Sequence, residues 1–226
     1  MVMLKFTPED HALVTAAVTR AERASDGEIV TVVTEKSDSY HDVGLHYAVL
    51  AMLLVPAGIA LLPQSWIDWG TGLFFGWNAV LTRGALMALL FVKLAAIFLI
   101  VRYALAYMPL RMVLTPGTTK TRRVRRRAVE LFRVAAERRT AGRTGVLLYL
   151  SLREHRAEIV ADEAIVTRVA PELWGEAMTD LIEEVKVGRP GAGMAKAVER
   201  IGAVLAEHFP KSQSDENELP DRLIEL

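Results

Sequence analysis

The sequence predicts a mixed α/β domain that is interrupted by a transmembrane helical hairpin. Two long apolar blocks occupy the middle of the chain. Runs of β-branched residues, typical of strands, lie on both sides of these blocks. Helical segments with a one-sided apolar stripe accompany the strands. Cysteine is absent from the 226 residues, which excludes a disulfide framework, thiolate metal sites and a cysteine nucleophile.

Residues 1–44 predict one helix and one strand. Thr7 is a good N-cap residue, and Pro8 suits the first position of a helix. The β-branched run Glu28–Thr34 predicts a buried strand. A single helix and strand cannot bury their apolar faces alone. Their partners must therefore come from the chain beyond the apolar blocks.

The two apolar blocks predict helices over about 45–64 and 84–106, in a hairpin that spans 45–110. No Asp, Glu, Lys or Arg occurs from Gly44 to Ile67. Roughly 20 apolar residues are needed to cross a bilayer. The alternative is a buried helical hairpin in a soluble protein. Two apolar stretches of this length in a 25.0 kDa chain favour the membrane.

One lysine within the second block and three tryptophans between the blocks add predictions about the hairpin. Lys93 interrupts the second block, which indicates a partner in the membrane, an ion pathway, or a side chain that snorkels or lies between helices. Between the blocks lie Trp66, Trp69 and Trp77. Tryptophan prefers the headgroup zone, so these residues predict an interfacial turn.

The distribution of basic residues predicts how the helical hairpin is oriented in the membrane. Residues 111–143 carry 11 basic and 2 acidic side chains, directly after the second block. By the positive-inside rule both termini are cytoplasmic and the loop between the blocks faces outward. Proximity to the membrane predicts contact with anionic lipid, and we expect no nucleic-acid partner. The residues predicted to contact the lipid surface are Lys120, Arg122, Arg123, Arg125, Arg126 and Arg127.

The basic segment has a second potential partner within the chain. Acidic side chains are concentrated in a later helical segment, at Glu172, Glu176, Asp180, Glu183 and Glu184. We expect the basic helix to face them.

The second half of the chain completes the domain. The pattern predicts helices and strands in this order: a helix over 121–139, strands over 144–152 and 157–162, and helices over about 163–169, 172–186 and 191–208. The two strands form an antiparallel hairpin. Residues 1–44 and 112–210 together form one discontinuous α/β domain, followed by a tail over 211–226.

The ordered segments resemble the TPM domain family, named for a thylakoid lumen protein, a photosystem II assembly protein and a receptor modulator. The matching segments are Gly27–Val33, Arg143–Leu148, Ala157–Asp162, Gly193–Glu199, Glu207–Pro210 and Asn217–Arg222. The chain is most similar to the bacterial branch that carries transmembrane helices inside the domain. This resemblance implies a three-layer α/β/α sandwich with a small mixed sheet, in a bacterial inner membrane.

The resemblance also implies candidate chemistry. The plant member of the family is described as an acid phosphatase, and some relatives bind calcium through acidic loop residues. The usual glycine-rich Gly-Tyr-Gly-Leu-Glu type segment after the third strand is replaced here by Ala161–Ile165.

Three acidic residues are weak candidates for a metal site. Asp162 and Glu163 lie where a strand passes into a helix, and Asp26 lies before the first strand. Carboxylates suit Ca²⁺ or Mg²⁺. The alternatives are helix capping by Asp162, a favourable helix-dipole position for Glu163 and a turn at Asp26. No other cofactor is predicted.

A cluster of Arg153, His155 and Arg156 in the strand connector could receive a phosphate or form a solvated turn.

No sequence motif assigns a catalytic residue. The sequence favours a non-enzymatic binding or assembly module for a membrane protein complex. The alternative is a phosphatase of the TPM family assisted by a divalent metal ion.

Overall fold

The computed structural model describes residues 6–77, 81–135, 144–212 and 219–226. The chain divides into two compact units. One consists of Met1–Asp38 and Gly117–Leu226, and is called the α/β unit below. The other is Ser39–Pro116, called the helical unit.

The α/β unit contains four strands and five helices within the described ranges. The helices are α1 (Pro8–Glu22), α6 (Gly117–Ala135), α7 (Glu163–Val166), α8 (Pro171–Lys186) and α9 (Pro190–His208). The strands are β1 (Glu28–Thr34), β2 (Gly145–Ser151), β3 (Arg156–Ala161) and β4 (Ile224–Glu225). The predicted elements are confirmed with shifted ends. The basic helix begins at Gly117 rather than 121, and residues 136–143 lie outside the described structure.

The strands form one mixed sheet in the order β3-β2-β1-β4. β1 pairs in parallel with β2, from Glu28 opposite Gly145 to Thr34 opposite Ser151. β2 and β3 form the predicted antiparallel hairpin. The fourth strand was not predicted, because its two residues lie in the segment interpreted as a tail. Residues 219–226 of that tail are folded against the domain, whereas 213–218 lie outside the described structure.

Apolar side chains cover both faces of the sheet. Every residue of β1 and β2 is buried, as expected for central parallel strands. On one face, Ile29 and Leu148 pack in a cluster with side chains of α1, α8 and α9. On the other face, Val30 and Leu147 pack against Val124 and its neighbours in α6. The alternation along β1 and β2 thus directs successive side chains to two cores.

The helical unit consists of four helices in its described part. These are α2 (His41–Leu61), α3 (Gln64–Phe75), α4 (Arg83–Ala104) and α5 (Met108–Leu114). By length and composition, α2 and α4 can cross a membrane. In the most apolar stretch of each, 17% of α2 and none of α4 is buried.

Both long helices start and end earlier than predicted, and the predicted interfacial turn is wrong in part. Trp66 and Trp69 lie inside the 12-residue helix α3, and only Trp77 follows it. All three indole rings are more than half exposed. Trp77 packs over Gly72, where an added Cβ would lie 2.7 Å from the ring. The segment between the blocks is therefore an apolar helix with exposed aromatic side chains.

Candidate functional site

Asp162 lies at the amino end of the parallel strand pair. It is 8% exposed, and one carboxylate oxygen accepts a 3.0 Å hydrogen bond from the backbone N–H of Gly145. It occupies the N-cap position of α7, yet its side chain makes no capping hydrogen bond. The capping alternative is therefore wrong for the side chain of Asp162. Its carboxylate instead joins the end of β3 to the start of β2.

Asp26 lies at the same end of the sheet. Its carboxylate accepts a 2.7 Å hydrogen bond from the backbone of Ser212, and its carbonyl accepts one of 2.7 Å from Thr144 Oγ1. Thr144 and Gly145 are adjacent, so Asp26 and Asp162 are attached to neighbouring points of the chain. Glu163 is exposed in the first turn of α7. Within the described ranges, no group of three or more His, Asp or Glu residues is arranged to hold a metal ion.

A second acidic cluster near the start of β1 was missed by sequence reasoning. It consists of Glu22 at the end of α1, Glu28 at the start of β1 and Asp221 in the last segment. Burial, with the charges of Glu28 and Asp221, raises the pKa of Glu22 to about 8, although the Ile29 amide that donates to it opposes the shift. The carboxyl group is consequently neutral at pH 7. Its neighbour Asp221 lies 199 positions later, so no local pattern indicates the cluster.

A network of hydroxyl groups occupies the opposite, carboxyl end of β1 and β2. The phenol oxygen of Tyr149 lies 2.7 Å from Thr34 Oγ1 and 2.9 Å from Ser37 Oγ. Glu154 accepts a 2.9 Å bond from the Ser37 amide and another bond from the Ser151 hydroxyl. Burial raises the pKa of Tyr149, so the phenol stays protonated. These bonds attach the chain leaving β1 to the turn between β2 and β3.

The connector between β2 and β3 holds its predicted basic residues in different environments. Arg153 forms an ion pair with Glu35. His155 is exposed and has a positive φ of 48°. Arg156 Nε is buried and makes no hydrogen bond within the described structure. Since Arg153 is already paired, the connector does not present three converging donors.

The predicted basic surface is the exposed side of α6. The side chains of Arg125, Arg126 and Arg127 are 71%, 68% and 44% exposed. Lys120 is half-buried and Arg122 is exposed. Arg123 is largely buried, and its guanidinium lies 2.6 Å from the carboxylate of Asp38. Arg123 therefore acts within the domain, whereas its neighbours remain exposed to solvent.

The expectation that the basic helix faces the acidic helix is wrong. Three acidic residues of α8 pair with α9 instead: Glu176 and Asp180 with Arg200, and Glu184 with Lys196. α8 and α6 belong to the cores on opposite faces of the sheet. The sheet thus separates the two charged surfaces.

Lys93 lies at the middle of α4 and is exposed. Neighbouring Phe91 and Val92 are 71% and 60% exposed. Within the described ranges no hydrogen bond or ion pair involves the Lys93 ammonium group, and α4 contacts α2 without covering it. The alternative in which Lys93 is buried between the helices of the hairpin is therefore wrong for the single chain.

Comparisons with known proteins find a similar fold in one solved structure. No family model and no curated protein matches the chain. Among solved structures it is similar to the NMR structure of the BA42 protein from the psychrophilic bacterium Bizionia argentinensis. The TM-score is 0.56 at 15% sequence identity, and the match covers 100% of this chain and 99% of that chain. At this identity the similarity concerns the fold alone.

Proposed function

We propose that this chain is a membrane-anchored TPM-type protein that serves as a non-enzymatic binding and assembly module for a membrane protein complex. In this proposal the α/β unit is a three-layer α/β/α sandwich of the TPM family, and α2 and α4 cross a bacterial inner membrane. The observation that carries the proposal is the exposed ammonium group of Lys93 in the middle of α4.

The position of Lys93 makes its exposure costly in lipid. It lies ten residues after the first residue of α4, or about 15 Å along the helix axis. A lysine at the centre of a transmembrane helix costs roughly 2.5–3.5 kcal/mol on insertion scales. Lysines near helix ends reach the interface by snorkelling, but Lys93 is far from both ends. A carboxylate or a cluster of carbonyl groups on a partner helix would offset this cost.

The charge of the chain supports a cytoplasmic location for both termini. The exposed arginines of α6 follow the helical unit directly and are suited to anionic headgroups. A reporter enzyme fused at residue 72 should be active outside the cytoplasm, and one fused at the C-terminus inside it. A cytoplasmic signal at residue 72 would reverse the proposed topology.

Site-specific crosslinking tests the role of Lys93. A photoreactive amino acid at Val92 should form an adduct with a different membrane protein in native membranes. Lys93→Leu should reduce that adduct at least about tenfold, because the adjacent ionic contact is lost. Lys93→Arg should preserve it.

The matched control is Arg102→Leu in the last turn of the same helix, which should leave the adduct unchanged. An adduct that persists in Lys93→Leu, or one formed only between two copies of this chain, would contradict the proposal. A phosphatase activity that needs a divalent cation and disappears in Asp162→Asn would instead favour the enzymatic alternative. Asparagine retains an oxygen that accepts from the Gly145 amide, so this variant spares the fold.

A further inference from the structure

Residues 219–226, here called the strap, complete the edge of the sheet beside β1. Ile224 and Glu225 pair in parallel with Val32 and Val33, and the Leu226 amide donates to the Val33 carbonyl at 3.0 Å. Leu219 and Leu223 are each 4% exposed. Leu223 belongs to the core with α1 and α9, and Leu219 belongs to the core with α6. The strap therefore closes both cores at one edge.

Polar contacts attach the strap to α1 and β1. Thr19 Oγ1 donates to Asp221 at 2.7 Å, and the Leu219 amide donates to Glu28 at 3.2 Å. The His11 ring and Glu225 are 2.7 Å apart on the surface. Beside these contacts, α1 and the strap leave an open groove of about 790 Å³. The strap thus depends on a few polar contacts and two leucines.

The carboxyl group of Glu22 lies beneath this attachment. Its Oε1 accepts a 2.8 Å hydrogen bond from the Ile29 amide. Its Oε2 is buried and receives no hydrogen bond from a donor within the described structure. Asp221, which accepts from Thr19 one turn earlier in α1, and Glu28 both place negative charge beside it. A contact between two carboxyl groups requires a proton on one of them.

Among the described residues, no basic group contributes to the shift in the pKa of Glu22. α9 packs against this end of α1 through Gly202, where an added Cβ would lie 2.5 Å from Ala21 Cβ. The nearby Arg20 of α1 is paired with Glu199 of α9 on the surface. The charged groups acting on Glu22 are therefore Glu28 and Asp221, both acidic.

We propose that the strap is a proton-controlled clasp, which is held while the Glu22–Asp221 carboxyl pair carries a proton and is released when that proton is lost. Loss of the proton leaves the carboxylates of Glu22 and Asp221 side by side near Glu28, and the described charged groups that act on Glu22 are all acidic. The strap carries Asp221, so its departure relieves the repulsion. Release exposes the backbone edge of β1, to which an extended strand of a partner can be added.

The direction of the pH effect follows from the shift in the pKa of Glu22, which is raised from 4.5 to about 8. The docked state binds the proton more tightly than the released state, where the carboxyl group is exposed to water. Docking is therefore strongest below the pKa of the released state, weakens as the pH rises from that value to about 8, and changes little above it.

Hydrogen exchange of the full chain in lipid nanodiscs between pH 6 and 9.5 tests the proposal. Protection of the Leu226 amide, corrected for intrinsic exchange, should fall by up to about tenfold per pH unit from pH 6 to about 8 and level off at higher pH. Glu22→Gln should give a flat profile, since its amide side chain cannot ionise, can still accept from Ile29 and can donate to Asp221. The Leu152 amide, which donates to the Thr34 carbonyl at 3.0 Å, serves as the internal reference.

His11→Ala removes only the surface contact with Glu225 and should retain the pH dependence. Asp221→Asn should remove it, as Glu22→Gln does. The clasp is refuted if wild type and Glu22→Gln share one profile while the Leu152 amide stays protected. It is equally refuted if His11→Ala alone abolishes the dependence.

Discussion

Arg111 connects the two long helices of the helical unit through hydrogen bonds of its guanidinium group. It is 2% exposed. Its guanidinium donates to the carbonyls of Leu105 at 2.7 Å and Ala106 at 3.2 Å, where α4 ends, and to the Ser39 carbonyl at 2.6 Å, just before α2 begins. The last carbonyls of a helix lack intrahelical partners. One planar cation therefore caps α4 and joins it to the start of α2.

Replacing Arg111 should destabilise the hairpin. Arg111→Met leaves the buried Leu105 carbonyl and the partly buried Ser39 and Ala106 carbonyls without this donor. A buried acceptor without a donor costs roughly 1–3 kcal/mol, so we expect a loss of at least about 2 kcal/mol. Arg111→Lys should recover only part of it, because lysine cannot reproduce the planar fork. Thermal denaturation in detergent measures the effect. Arg83→Met, at the exposed start of α4, is the control and should change stability by less than about 0.5 kcal/mol. Equal losses in both variants would contradict this role.

Glycines decide how closely the helices of the α/β unit pack. α9 lies between α1 and α8, and it presents a glycine to each. An added Cβ at Gly202 would lie 2.5 Å from Ala21 Cβ, and one at Gly193 would lie 2.9 Å from the Leu181 carbonyl oxygen. Contacts of this kind leave no space for a methyl group, so α1 and α8 approach the backbone of α9 directly.

A methyl group at Gly202 should therefore force α1 and α9 apart. We expect Gly202→Ala to lower the free energy of unfolding by roughly 1–3 kcal/mol, the usual cost of overpacking. The matched control is Gly175→Ala in α8, where an added Cβ meets nothing within 4 Å. Gly175→Ala should raise stability by up to about 1 kcal/mol. Urea denaturation of both variants measures the difference, and effects of the same sign would refute the packing argument.

Local sequence patterns could predict most elements but not their long-range contacts. Glu28–Thr34 is a strand as predicted, because β-branched residues are typical of buried strands. The strap was missed, because two buried leucines separated by polar residues have neither helical nor strand periodicity. The Glu22–Asp221 pair and the Tyr149 network join distant segments, so they follow from the tertiary fold alone. The predicted metal residues do sit at the end of the sheet, yet each carboxylate of Asp26 and Asp162 already accepts a backbone amide.

The whole molecule is a discontinuous domain with a helical unit inserted into it. The two cores of the α/β unit use residues from both sides of the insertion. Asp38, the last residue before the helical unit, pairs with Arg123. Arg123 lies six residues after Gly117, where the α/β unit resumes. Six residues of helix span about 9 Å. The point where the chain leaves the α/β unit, at Asp38, therefore lies close to the point where it re-enters the unit, at Gly117.

The α/β unit should fold without the helical unit. Replacing residues 39–116 with about eight Gly and Ser residues leaves a β1–α6–β2 crossover of ordinary length. We expect a soluble protein with cooperative unfolding and dispersed amide NMR signals. Adding Asp38→Ala to this shortened chain should lower its stability, because Arg123 would lose its partly buried partner. A shortened chain that is unfolded or aggregated would show that the helical unit is needed for folding.

The parallel pairing of β1 with β2 also sets an order of events during synthesis. Glu28 lies opposite Gly145, more than one hundred residues later in the chain. At about 5–20 residues per second, the ribosome needs roughly 6–25 s to reach the second strand after making the first. Throughout that interval β1 cannot pair with β2, while both apolar helices emerge from the ribosome. The sheet is therefore completed only after the helical unit has been synthesised.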